Sequence, residues 1–192
     1  MLKKFQTLGL LPLLLTTSLG VTLSPAIIYP VQSQDFPYPP NSTFFTGKPP
    51  SFQGARVFYN SIYAPDVPYY FTFYLPEQSI QSIGKVTIQQ NTSPYTLDFR
   101  FSQTQAFLGT PDQKQTLLKL KTVSQDPETG AIAIEFDTPI PPGSTFSVGL
   151  EAVQNPSIGG TYGFTVRAFP AGPQAIGMNL GVGQIQIYDF RP

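Results

Sequence analysis

The side chains of this chain that could carry chemistry are few, and most are carboxylates. Glu135, Asp137 and Glu151 stand on the polar parity of two alternating segments, and a pair of carboxylates facing one another across a cleft is the constellation of glycoside hydrolysis. Charged residues on the solvent side of a strand need no such role, so the plain reading is solvated surface charge. Asp126 and Glu128 offer hard oxygen ligands of the kind calcium takes, but Asp126-Pro127-Glu128-Thr129-Gly130 is also a sound turn without a metal. Histidine, cysteine and tryptophan are absent from the 192 residues. That removes the usual general base at neutral pH, the thiol nucleophile and the commonest transition-metal ligands. Serines are plentiful, yet no Gly-x-Ser-x-Gly elbow is present to activate one. No catalytic residue, metal site or cofactor is assigned.

Tyrosine is the better lead. Tyr70 and Tyr74 lie on the parity opposite Phe71 and Phe73, and Tyr59 and Tyr63 are close in sequence. Together they are candidates for an exposed platform that stacks on sugar rings or on a protein partner. The competing reading is a strand packed on both faces, or tyrosine serving as an ordinary strand residue.

The elements that must position these groups are strands. Charged residues make up only 11% of the chain, whereas 41% are apolar, with 21 prolines and 16 glycines. Helical surfaces are normally filled with Glu, Lys, Arg and Ala, so low charge with abundant Thr, Ser, Gln, Phe and Tyr points to strands and turns. Phe146, Val148, Leu150 and Ala152 alternate with Thr145, Ser147 and Glu151, and Tyr162, Phe164, Val166 and Ala168 alternate with Thr161, Thr165 and Arg167. Further strands are predicted at 55–59, 69–75, 85–89, 95–101, 118–123, 132–136 and 184–188, with one helical turn at 77–82 and a hairpin turn at 126–130. The sum is an all-β, antiparallel two-sheet β-sandwich of about eight or nine strands, an immunoglobulin/fibronectin-III-like Greek key. The words Pro142-Gly143-Ser144-Thr145-Phe146 resemble the phrase that leads into the tyrosine corner of fibronectin type III domains, with Phe146 at the tyrosine position.

Residues 1–33 read as a signal peptide: Lys3 and Lys4 precede the apolar run from Leu8 to Leu15, and cleavage is expected after Ser33. An uncleaved N-terminal anchor is the alternative; after cleavage no membrane span remains. Residues 34–53, rich in proline, form an extended lead-in, and 54–192 form a single β-sandwich domain. The formal net charge is zero and there is no basic run, which excludes nucleic acid as a partner.

A wider resemblance covers about Pro49 to Tyr188. Pro141-Pro142-Gly143-x-Thr145, Asn155-Pro156, Gly159-Gly160-Thr161-Tyr162-x-Phe164-x-Val166-x-Ala168-Phe169-Pro170-Ala171-Gly172 and the late Gly181-x-Gly183 are similar to a family of exported cyanobacterial proteins of unknown function. The resemblance implies a secreted β-domain and a phototrophic host, and no activity. One departure is Gln184 after Gly183, where the family pattern carries a basic residue. The resulting expectation is an exported, periplasmic or extracellular, non-catalytic binding or structural module, whose partner is an envelope protein or polysaccharide. The alternatives are a carbohydrate-binding module using the tyrosines and a carboxylate-dependent hydrolase.

Overall fold

Ten strands form two antiparallel five-stranded sheets in this computed structural model, which describes residues 38–91, 93 and 95–189. In chain order they are β1 (Ser51–Arg56), β2 (Pro65–Leu75), β3 (Ile83–Gln90), β4 (Gln105–Thr110), β5 (Gln113–Leu118), β6 (Leu120–Gln125), β7 (Ile132–Ile140), β8 (Ser144–Gln154), β9 (Gly160–Pro170) and β10 (Met178–Ile187). One sheet runs β1-β2-β8-β4-β5 and the other β10-β9-β3-β7-β6. Sequence neighbours form hairpins at the edges, while β8 lies between β2 and β4 and β3 between β9 and β7, a Greek-key arrangement. The expected signal peptide lies outside the described residues. Among those that are described, no helix is long and apolar enough to cross a membrane.

Period-2 patterning decides which face meets the core. Tyr69, Phe71, Phe73 and Leu75 of β2 and Phe146, Val148, Leu150 and Ala152 of β8 are buried against Val86 and Ile88 of β3, Ile134 and Phe136 of β7, and Phe164 and Val166 of β9. Phe146 stacks on Phe73 at 5.0 Å within its own sheet and meets Phe136 of the facing sheet edge-on at 5.4 Å. Phe71 and Phe164 make a second edge-on contact across the sandwich, at 5.3 Å.

Several stretches differ from the sequence expectation. Residues 95–101 alternate like a strand but form only one bridge, Phe99 to Ala152, flanked by hydrogen bonds from Arg100 N to Glu151 O and from Val153 N to Asp98 O. A 3-10 turn at Phe101–Gln103 then diverts the chain before the ladder extends. Upstream the Gln90 side chain stands in for a strand partner, accepting from Leu97 N and donating to Tyr95 O. The hairpin β4–β5 was not expected, because most of β5 is exposed on both faces and carries no apolar alternation. Finally, 118–123 is two strands: at Lys119 the chain passes from one sheet to the other, with Leu118 and Leu120 packed on the core on either side. The strand expected to begin at Ala55 begins at Ser51, and Thr43, Thr46 and Lys48 upstream of it are already hydrogen-bonded to the sandwich. The segment 77–82 makes a turn and a bridge from Ser79 to Gly47 rather than a helical turn.

The hairpin turn at 126–130 has the expected chemistry. Gly130 adopts φ +71°, its N–H bonds to Asp126 O, and the Asp126 carboxylate accepts from Glu128 N and Thr129 N. Those backbone donors, Thr129 foremost, hold the Asp126 carboxyl below its ordinary pKa.

Near the 3-10 turn the Thr104 hydroxyl is buried with no hydrogen-bond partner among the described residues. A buried unpaired hydroxyl forfeits its bonds to water, so Thr104→Val is expected to leave stability unchanged or raise it by up to about 1 kcal/mol. Urea unfolding of the two proteins measures this; a loss of more than about 1 kcal/mol would mean that the hydroxyl is paired.

Candidate functional site

The four tyrosines singled out by the sequence occupy different surroundings. Tyr70 is only 7% exposed, on the outer face of β2. Phe58 at 5.7 Å and Phe107 at 6.1 Å meet its ring edge-on, and Lys114 Nζ lies 4.9 Å from the ring centre and donates to the hydroxyl at 3.0 Å. The ring also packs against Gly149 of β8, where an added Cβ would fall 2.9 Å from Cε1, so glycine is favoured there by close approach. Tyr74, further along the same face, is half-buried opposite Thr145 and Ser51. Tyr59 and Tyr63 are 70% and 49% exposed on the loop between β1 and β2. Among the described residues no ring contact joins any two of the four.

That loop is held from below. Asn155 is fully buried; its Nδ2 donates to the carbonyls of Tyr59 and Ser61, and its Oδ1 accepts from the Tyr69 hydroxyl at 2.8 Å. Burial, with smaller contributions from Tyr162 and Tyr95, pushes the Tyr69 pKa well above the ordinary tyrosine value, so this hydroxyl stays a donor throughout the physiological range.

The carboxylates are dispersed. Glu135 and Asp137 lie on the outward side of β7, paired with Lys121 at 3.7 Å and Lys119 at 3.1 Å. Glu151 is on the other sheet, in β8, where Arg100 bridges it at 3.4 Å and also binds Asp66. Outward faces of opposite sheets point away from one another, so Glu151 shares no cleft with the β7 pair. Among the described residues no three acidic side chains gather as a metal site would require.

A groove of about 650 Å³ opens where the irregular segment after β3 diverges from the β6–β7 hairpin. Such a volume is within the range of ligand sites. Its floor is apolar, from Leu97, Phe99, Ile132 and Phe164, and its walls carry Gln89, Gln90, Asn91, Thr96 and Gln125. Among the described residues that line it, none is ionisable. The walls are oriented from within: Gln89 Nε2 donates to Thr129 O, Gln125 Nε2 to Gly130 O, and Asn91 Oδ1 accepts from the Thr165 hydroxyl. Sequence reasoning did not identify this site. The signal was the amide run Gln89-Gln90-Asn91, which gains meaning only once the segment after it fails to close as a strand.

A search of curated proteins finds no match. Solved structures similar to the chain include a bacterial hydrophobin, BslA (12% identity, 76% of this chain and 98% of that one, TM-score 0.45), and the collagen-binding domain of a Staphylococcus aureus adhesin (10%, 65% and 89%, 0.36). A third is the self-complemented major fimbrial subunit MyfA of Yersinia enterocolitica (12%, 74% and 100%, 0.38). Residues 42–187 match the family described as Protein of unknown function (DUF2808), and the chain belongs to that family.

Proposed function

We propose that this protein is a non-catalytic binding module that works outside the cytoplasm, at the envelope of a cyanobacterial cell. The observation that carries the reading is the character of its groove: apolar floor, amide and hydroxyl walls, and no ionisable group among the described residues, while Glu135, Asp137 and Glu151 sit in ion pairs elsewhere. Acid–base or nucleophilic catalysis needs a titratable or activated group within reach of the substrate, and a groove so lined supplies contacts only. Export is supported by the Lys3-Lys4 and Leu8–Leu15 pattern and by the family resemblance. A second reading seats the ligand instead on the loop bearing Tyr59 and Tyr63, favoured by the exposure of both rings.

Fractionation of the native host, followed by N-terminal sequencing of the recovered protein, tests the compartment. The expected result is recovery from the envelope or medium with Gln34 at the N-terminus; recovery from the cytoplasm with Met1 in place overturns it. Capture of envelope polysaccharide by the purified protein tests the binding role. Capture by the Glu135→Gln, Asp137→Asn, Glu151→Gln triple variant is expected to equal that of the unaltered protein, and loss of capture in this variant would return the carboxylates to the centre of the account.

A further inference from the structure

The hydrogen bonds that orient the groove's amides also show which atoms are left over. A carbonyl accepts only from the NH2 end of an amide, so the bonds to Thr129 O and Gly130 O fix Gln89 and Gln125 with their Oε1 atoms free as acceptors among the described residues. Asn91, held through Oδ1, keeps its Nδ2 as a donor with no partner among the described residues, and the exposed Thr96 hydroxyl, donor and acceptor at once, is likewise unengaged. Free acceptors, a free donor and a hydroxyl thus surround an apolar floor in which Phe99 is half-buried and Leu97, Ile132 and Phe164 are buried.

The chemistry of a ligand follows from what this set satisfies. An anion or cation would lose hydration without meeting an opposite charge, a cost that amides do not repay. An extended peptide would need a run of unpaired strand backbone, but β3 is paired with β9 through Gln90 and with β7 through Ile88, which leaves only Gln89 and Gln90 open on one side. A sugar ring satisfies both requirements of the groove, since each ring hydroxyl both donates and accepts while the C–H face of a pyranose is apolar.

We propose, building on the binding-module reading, that this groove takes a neutral hexose oligosaccharide, with Gln89, Asn91, Thr96 and Gln125 as its polar contacts and the half-buried Phe99 beneath the sugar. The ligand is a polyol held without ionic contacts, so its affinity is independent of salt.

Calorimetric titration of the full chain with oligomers of β-1,4-linked and α-1,4-linked glucose, and with oligogalacturonate as the charged counterpart, tests this. One neutral series is expected to bind at least tenfold more tightly than the charged one, with the same Kd in low and high salt. Thr96→Arg, at an exposed side chain with no hydrogen bond among the described residues, is expected to fold normally by circular dichroism and to weaken binding at least tenfold, while Leu117→Ala, at an exposed side chain of β5, leaves it unchanged. The proposal is overturned if neither neutral series binds, if oligogalacturonate binds as well, or if Thr96→Arg binds normally. New reducing ends appearing with the bound neutral oligomer would instead overturn the non-catalytic reading and leave the ligand class standing.

Discussion

Asn155→Ala should be among the most destabilising single substitutions in this protein, at about 3–4 kcal/mol. The side chain is wholly buried and uses three hydrogen-bonding positions, to Tyr69 Oη, Tyr59 O and Ser61 O. Alanine strands the Tyr69 hydroxyl inside the core, where an unpaired donor costs about 1–3 kcal/mol, and releases the loop that Asn155 clamps. The two carbonyls can turn to water, which keeps the total below the sum of three buried losses. For a domain of this size each kcal/mol lowers Tm by about 2–4 °C, so a fall near 10 °C is expected by calorimetry. The double variant Tyr69→Phe, Asn155→Ala should cost less than the two single substitutions added together, because phenylalanine removes the stranded donor. Strict additivity would show that the two side chains do not share a bond.

Phe146→Ala should rival it, at about 3–5 kcal/mol, through a different cause. This ring is the one that stacks within its own sheet, on Phe73, and also meets an aromatic of the facing sheet, Phe136. Truncation therefore opens a cavity at the seam between the layers, where strands of both sheets would have to move to close it. Phe146→Leu should cost about 1–2 kcal/mol, and Phe58→Ala, at a half-exposed ring, under about 1 kcal/mol, when all three are compared by denaturant unfolding. Equal losses at positions 58 and 146 would contradict the assignment of the core.

The strands were legible where one face is buried and the other wet. In β8 and β9 the alternation from Phe146 to Ala152 and from Tyr162 to Ala168 maps directly onto core and solvent faces. It misled at 95–101, because alternation reports which side chains are buried and not whether a neighbouring backbone is within ladder distance. Leu97 and Phe99 do turn inward, but the Gln90 side chain and a single bridge take the place of a full pairing. The β4–β5 hairpin was invisible for the opposite reason: β5 buries almost nothing, so no hydrophobic period marks it. The Asn155 clamp lay in a turn-like Asn-Pro pair whose bonds reach 86 residues and more along the chain, a distance over which local pattern carries no signal. Tyr70 shows the limit of parity as a guide to exposure. It lies on the outer face as expected, yet Lys114 and Phe107 from the unforeseen hairpin cover it. The groove follows the same rule, since its walls come from β3, from the segment after it and from the β6–β7 hairpin, and only the tertiary fold sets them around one space.

Backbone amide chemical shifts recorded while a neutral glucose oligomer is titrated into the protein locate its working surface most directly. The account predicts perturbations confined to residues 88–91, 96–99 and 125–132, with the amides of Tyr59, Tyr63 and Tyr70 unmoved. Shifts gathered instead around Tyr59 and Tyr63, with residues 88–91 and 125–132 silent, would contradict it.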